Sequence, residues 1–199
     1  MAPLAETPDA PLHLVNIAGG PALDSINALI ILARAHPALI QRPIAIHVFD
    51  AQQDGPTFGA RALLALTAGG EPLHGLQAQF QHHAYDWNDT APLACLLADL
   101  AARDVIIAAS SEGGLFDYGT DDAIVANLTT LARVGVPIVA GSVTSSSEVG
   151  KRMVAQSRFR LFPRGLEGFS PLAERSGYAI AESRTAVVSE QVLLRPRAR

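Results

Sequence analysis

The sequence predicts an α/β protein: a mostly parallel, seven-stranded sheet with helices on both faces, finished by a C-terminal antiparallel hairpin. Three observations predict it. Short apolar runs alternate with helix-period segments from residue 12 to residue 147, the pattern of successive βα units. The first run breaks at Ala18-Gly19-Gly20-Pro21 just before a helix, where glycine lets a backbone approach a ligand and the new helix offers free N–H groups. The last two strand-like runs, 178–184 and 186–194, have a very short join, which suits a hairpin.

Each element has its own signal. Residues 1–11 are rich in Pro and Ala without periodicity and read as a loose arm ahead of a single domain, 12–199. Leu12 to Ile17 is the first strand. Helical spacing through Ile26, Leu29, Ile30 and Ala33 predicts a helix over 23–35, with Asp24 or Ser25 at its start and His36-Pro37 at its end. The run 44–49, ending at Asp50, reads as a buried parallel strand. A helix over 57–68 stops at Gly69-Gly70, and 76–84 is a polar-rich strand leading to Tyr85-Asp86-Trp87. The segments 90–102 and 121–133 are helical, and 105–109 and 136–140 are strands. A Gly/Ser/Thr loop follows over 141–147, then helices over 148–156 and 170–176.

Composition narrows the class. Hydrophobic residues make up 49% and charged residues 17% of 199 residues, which fits one globular domain with a buried sheet. No apolar run is long enough for a membrane span, and the N-terminus lacks the basic start and apolar middle of a secretory signal. A cytoplasmic location is the expectation. The single cysteine, Cys95, sits in an apolar helical stretch and reads as a small core residue; no internal disulfide is possible. Residues 151–199 carry a net charge of +6 within a chain of net −4, but the arginines are spaced out with few aromatic residues between them. This reads as a solvated face rather than a nucleic-acid surface. The histidines are scattered apart from His82-His83, so no metal site is expected. Neither G-x-S-x-G nor G-x-x-x-x-G-K-[ST] occurs, which disfavours that hydrolase elbow and the P-loop.

Four local matches give the chain a resemblance to the class I S-adenosylmethionine-dependent methyltransferases, a Rossmann-like, doubly wound family, over residues 12–196. Asn16-Ile17-Ala18-Gly19-Gly20-Pro21-Ala22 resembles the family's first motif, an acidic residue followed by G-x-G-x-G. Asn16 stands for the acid, and Ala18 and Ala22 for two of the glycines. Asp50, followed by Ala51, ends the second strand, where the family keeps an acid for the ribose hydroxyls. Asp86-Trp87 follows the third, at the family's adenine site. Ser110 and Ser111 open the stretch to Tyr118, which follows the fourth strand, where the family lines both cofactor and substrate.

The resemblance implies S-adenosylmethionine as cofactor and a methyl acceptor, here a small molecule. Asp50 reads as a ribose ligand or as a loop cap. Asp86 reads as an acceptor from the adenine amine, or as the start of an Asx turn. Glu112, Asp117 and Tyr118 are the candidates to face substrate. Glu112 or Asp117 would serve as a base where the acceptor must lose a proton; otherwise Glu112 contacts cofactor and Asp117 caps the next helix. Residues 142–172, or a second subunit in a homodimer, are the candidate lids. Two rivals remain. An NAD(P)-dependent oxidoreductase would need a third glycine and a Tyr/Lys pair, and Lys151 is the only lysine. A non-catalytic relative would bind the cofactor as a sensor or assembly partner.

Overall fold

A computed structural model describes residues 2–7 and 9–197; Met1 and Pro8 of the predicted arm and the last two residues of the predicted domain lie outside them. Seven strands form one sheet in the order β3-β2-β1-β4-β5-β7-β6. They are β1 (Leu12–Ile17), β2 (Ile44–Asp50), β3 (Ala78–Ala84), β4 (Ile106–Ser111), β5 (Val139–Thr144), β6 (Tyr178–Thr185) and β7 (Ser189–Pro196). The first five run parallel, and β7 is antiparallel to both β5 and β6. Strand order therefore reverses between β1 and β4, the place where open sheets of this kind hold ligands.

The helices are α1 (Ala2–Glu6), α2 (Leu23–Ala35), α3 (Asp54–Leu66), α4 (Ala91–Ala101), α5 (Leu115–Tyr118), α6 (Asp121–Arg133), α7 (Glu148–Gln156) and α8 (Gly165–Arg175). Alternating strand residues feed two cores. Val15, Ile17 and Phe49 pack with Leu97, Ile124, Leu131, Phe169 and Tyr178 beneath α4, α6 and α8. Ile46 and Val48 pack with Ile26, Leu29 and Leu63 beneath α2 and α3.

Several boundaries differ from the sequence reading. The loop expected over 141–147 is strand as far as Thr144, because β7 pairs with Val139 through Thr144. A helix expected over 170–176 begins at Gly165 and keeps Pro171 inside it. The opening segment is a short helix and turn rather than a loose arm: Arg42, 4% exposed, donates to the carbonyls of Leu4, Thr7 and Ala10. Cys95 is exposed, not buried; α4 turns Leu93, Leu97 and Leu100 inward, and a residue two positions from Leu93 lies on the opposite side of a 3.6-residue turn. No helix among the described residues is long and apolar enough to cross a membrane.

Candidate functional site

The strand-end rim is built on Asn16. This side chain is fully buried, and its polar atoms are spent within the protein. Its Oδ1 accepts from the Gly19 N–H at 2.9 Å. Its Nδ2 donates to Asp24 Oδ1 at 2.8 Å and to Ser110 Oγ at 3.1 Å. One amide thus ties the first turn, the start of α2 and the end of β4 together across the switch in strand order. Both amide hydrogens of Asn16 and one lone pair of its oxygen are thus engaged within the protein.

The turn itself is strained. Ala18 and Ala22 have φ of 57° and 51°, the left-handed region that favours glycine. Ala22 also stands at the N-cap of α2 without a side-chain bond, so neither Asp24 nor Ser25 caps the helix. Ala22 is completely buried among Ile26 and Leu29, whereas Ala18 is only partly buried. Ala18→Gly should therefore raise stability by about 0.5–1 kcal/mol, seen as a higher urea midpoint at unchanged slope. A lower midpoint would show that the methyl group contributes more than the backbone strain removes.

Asp50 closes the turn from the side. Its Oδ2 accepts from Gly20 N at 3.0 Å and its Oδ1 from Gln52 N at 2.8 Å. The loop-capping role is thus present, and each oxygen keeps a further lone pair for a hydroxyl. Ala51 follows, exposed. Helix α3 presses on the same turn: a Cβ added to Gly55 would lie 2.9 Å from Gly20 Cα, and one added to Gly59 would lie 2.2 Å from the Pro21 oxygen. Gly114 meets Ala18 as closely from the β4 side. Above Gly20 and Gly113 a Cβ would meet nothing within 4 Å, so the rim is open over both glycine turns.

Asp86 is exposed and begins an Asx turn, its Oδ1 accepting from the N and Nδ2 of Asn88. Trp87 is half-buried against the core. Tyr85 and Trp87, on either side of Asp86, are held by Asn127 of α6, which the sequence reading did not single out. Asn127 donates to the Trp87 carbonyl at 2.8 Å and accepts from the Tyr85 hydroxyl at 2.6 Å. Burial pushes that hydroxyl above the usual tyrosine range, so it remains a donor.

Of the candidates to face substrate, Glu112 borders a groove. About 290 Å³ lies between the ends of β4, β5 and the terminal hairpin, bordered by Asp24, Ser110, Glu112, Glu182, Arg184 and Gln191. Gln191 Nε2 donates to Glu112 at 3.4 Å. Desolvation, with Asp24 and Asp117 nearby, raises the Glu112 pKa against the opposing bonds from Gln191 and Ser142. At Asp24, Ser110 and Ala140 the groove continues into an apolar trough of about 270 Å³ lined by Leu14, Ala28, Leu32 and Ile138. The hairpin residues had no local sequence signal, because only the pairing of β5 with β7 brings them to the rim.

Asp117 is a correction. It is 5% exposed and accepts from Thr144 Oγ1 at 2.7 Å and Ser142 Oγ at 3.2 Å, so it latches α5 to β5 instead of facing substrate. Nor does it cap α6; Thr120 does, accepting from Ala123 N. Burial raises the Asp117 pKa, opposed by these hydroxyls and Arg164. Tyr118 is half-buried, its ring edge-on to Phe159. Ser110 accepts from Asn16, whereas Ser111 is 1% exposed and its hydroxyl points into the interior without a partner among the described residues.

No protein-family model matches the sequence, and no curated protein matches it. Solved structures do match. An O-methyltransferase (NcsB1) from neocarzinostatin biosynthesis, in complex with S-adenosylmethionine and 2-hydroxy-5-methyl naphthoic acid, superposes with a TM-score of 0.59 at 18% identity; the match covers 93% of this chain and 49% of that one. A SAM-dependent methyltransferase from Methanosarcina mazei gives 0.61 at 8% identity, covering 96% and 94%. The small RNA methyltransferase HEN1 gives 0.61 at 12% identity, covering 100% of this chain and 25% of that one. The chain thus spans about half the length of the first of these structures. Its strand order, its antiparallel seventh strand and these superpositions together give it the fold of the class I S-adenosylmethionine-dependent methyltransferases.

Proposed function

We propose that the protein binds S-adenosylmethionine at the strand-end rim and transfers its methyl group to a small apolar molecule bearing a hydroxyl or amine. The observation that carries this reading is the position of Asp24. It is bonded to Asn16 under the first turn and also borders both halves of the groove, so a molecule lying in the trough ends beside the turn that would hold the cofactor.

The sulfonium would supply an electrophilic methyl carbon. The chain's part is to hold the two ligands in line and to exclude water. Asp50 offers its remaining lone pairs to the ribose, Asp86 and Trp87 border the adenine, and Gly19, Gly20 and Pro21 support the methionine end. The trough, with Leu14, Leu32 and Ile138, takes the apolar body of the acceptor. Glu112, raised by desolvation, takes the proton that a hydroxyl or amine releases, and Gln191 orients it.

Calorimetry tests the first half: S-adenosylmethionine should bind and NAD should not. Asp50→Ala should weaken binding by about 1–3 kcal/mol, roughly five- to 150-fold in Kd, through lost charge-assisted bonds. Unchanged affinity would remove Asp50 from the ligand. Methyl transfer to a panel of hydroxylated and amino aromatic compounds tests the second half. Binding without transfer to any acceptor, RNA included, would favour a cofactor-binding partner.

A further inference from the structure

Three histidines that are far apart in sequence form one row across the sheet. His13 on β1, His47 on β2 and His83 on β3 lie on the face shared with Val15 and Phe49. His13 Nδ1 is 2.9 Å from His47 Nε2, and His47 Nδ1 is 3.2 Å from His83 Nε2. The rings of His13 and His47 are stacked, and His83 stacks on Phe49. His47, at the centre, is 3% exposed.

The chemistry of such a row is discrete. Each contact needs an N–H on one ring and a lone pair on the next, so the neutral tautomers are linked head to tail. One added proton is accommodated without loss: an imidazolium at His13 or His83 donates to His47, which still donates to its other neighbour. With a second proton, at least one contact must set N–H against N–H. No carboxylate among the described residues bonds any of the three rings. The charged groups nearby are Asp99 and Arg103 at the end of α4, which pair with each other and act on His13 with opposite sign. His82, whose Nε2 lies 2.8 Å from the Asp50 carbonyl oxygen, acts on His83. His47 feels its two neighbours.

We propose that the His13–His47–His83 row is an acid-responsive latch on the β2–β3 edge of the sheet, holding one extra proton intact and parting the strands when it receives a second. β3 is the edge strand and pairs only with β2, so it is the element free to move, and Asp50 and Asp86 follow the ends of these two strands. Desolvation, the largest cause at each ring, lowers all three pKa values from 6.5, that of His47 to about 4. The native row therefore binds fewer protons than the unfolded chain. Stability rises with pH through this window and falls as pH drops from about 6.5 toward 4. Any consequence for S-adenosylmethionine rests on the preceding reading; the tests below do not.

Ring ¹⁵N correlation spectra from pH 8 to 4 should show the three histidines sharing apparent midpoints below 6.5. Amide exchange, corrected for intrinsic rates, should lose at least tenfold more protection in β3 than in β5 between pH 7 and pH 5. His47→Gln keeps a donor and an acceptor but cannot titrate, and should reduce that excess to under threefold. If this variant does not fold, His13→Gln and His83→Gln should each reduce it. Independent titration near 6.5, equal loss in β3 and β5, or glutamine variants that behave as wild type would overturn the proposal.

Discussion

Asn127→Ala is expected to cost about 3–4 kcal/mol, a large share of the roughly 5–15 kcal/mol that holds a domain folded. Asn127 is fully buried and has all its polar atoms paired. Its amide donates to the Trp87 and Ala123 carbonyls and its oxygen accepts from Tyr85. Truncation strands the Tyr85 hydroxyl and the Trp87 carbonyl, each at about 1–3 kcal/mol. Tyr85→Phe alone removes one bond and leaves the amide its other two. The double variant should be less destabilised than the sum of the singles by about 1 kcal/mol or more, because the stranded hydroxyl is gone. Urea denaturation of the three variants measures this. A cost for Asn127→Ala below about 1 kcal/mol, or strict additivity, would show that α6 does not hold the β3 end through this amide.

The sequence was most informative where a residue's role depends on its neighbours in the chain. The apolar runs of β1, β2 and β4, the glycine break after β1 and the short join between β6 and β7 all became elements at the expected places. Asp50 and Asp86 came to strand ends for the same reason. What stayed hidden depends on pairing across the sheet. Asn127 looks like any polar residue of an amphipathic helix until the end of β3 is laid against it. His13, His47 and His83 are 34 and 36 residues apart, and only the order β3-β2-β1 aligns them. Asp117 read as a substrate-facing acid or a helix cap because its partners, Ser142 and Thr144, sit in a segment that looked like loop; once β7 extends β5, their hydroxyls enclose it. The first turn shows the limit of motif reading. Alanine for glycine at Ala18 and Ala22 argues for ordinary backbone angles, yet both are left-handed. The fixed ends at Asn16 and Asp50 impose the turn on them.

The same turn makes Gly59 the glycine whose replacement is most informative. Helix propensity alone predicts that Gly59→Ala, inside α3, gains about 1 kcal/mol. Packing predicts the opposite. The new methyl carbon would stand 2.2 Å from the Pro21 carbonyl oxygen and 2.8 Å from the Phe80 ring. Phe80 can turn aside, but Pro21 cannot retreat without straining the Gly20–Asp50 bond behind it, so α3 must move outward. Overpacking of this kind costs about 1–3 kcal/mol, occasionally more. Because the obstacle is backbone, the upper part of that range applies, leaving a net loss of about 2 kcal/mol. Gly69→Ala, where a Cβ meets nothing within 4 Å, should stay within about 0.5 kcal/mol of wild type. Where the protein binds S-adenosylmethionine as proposed, Gly59→Ala should also raise its Kd tenfold or more, since the displaced turn carries Gly19 and Gly20, whereas Gly69→Ala should leave it unchanged. A Gly59→Ala protein more stable than wild type would mean that α3 stands clear of the turn, and the rim would then be looser than the contacts at Gly55 and Gly59 require.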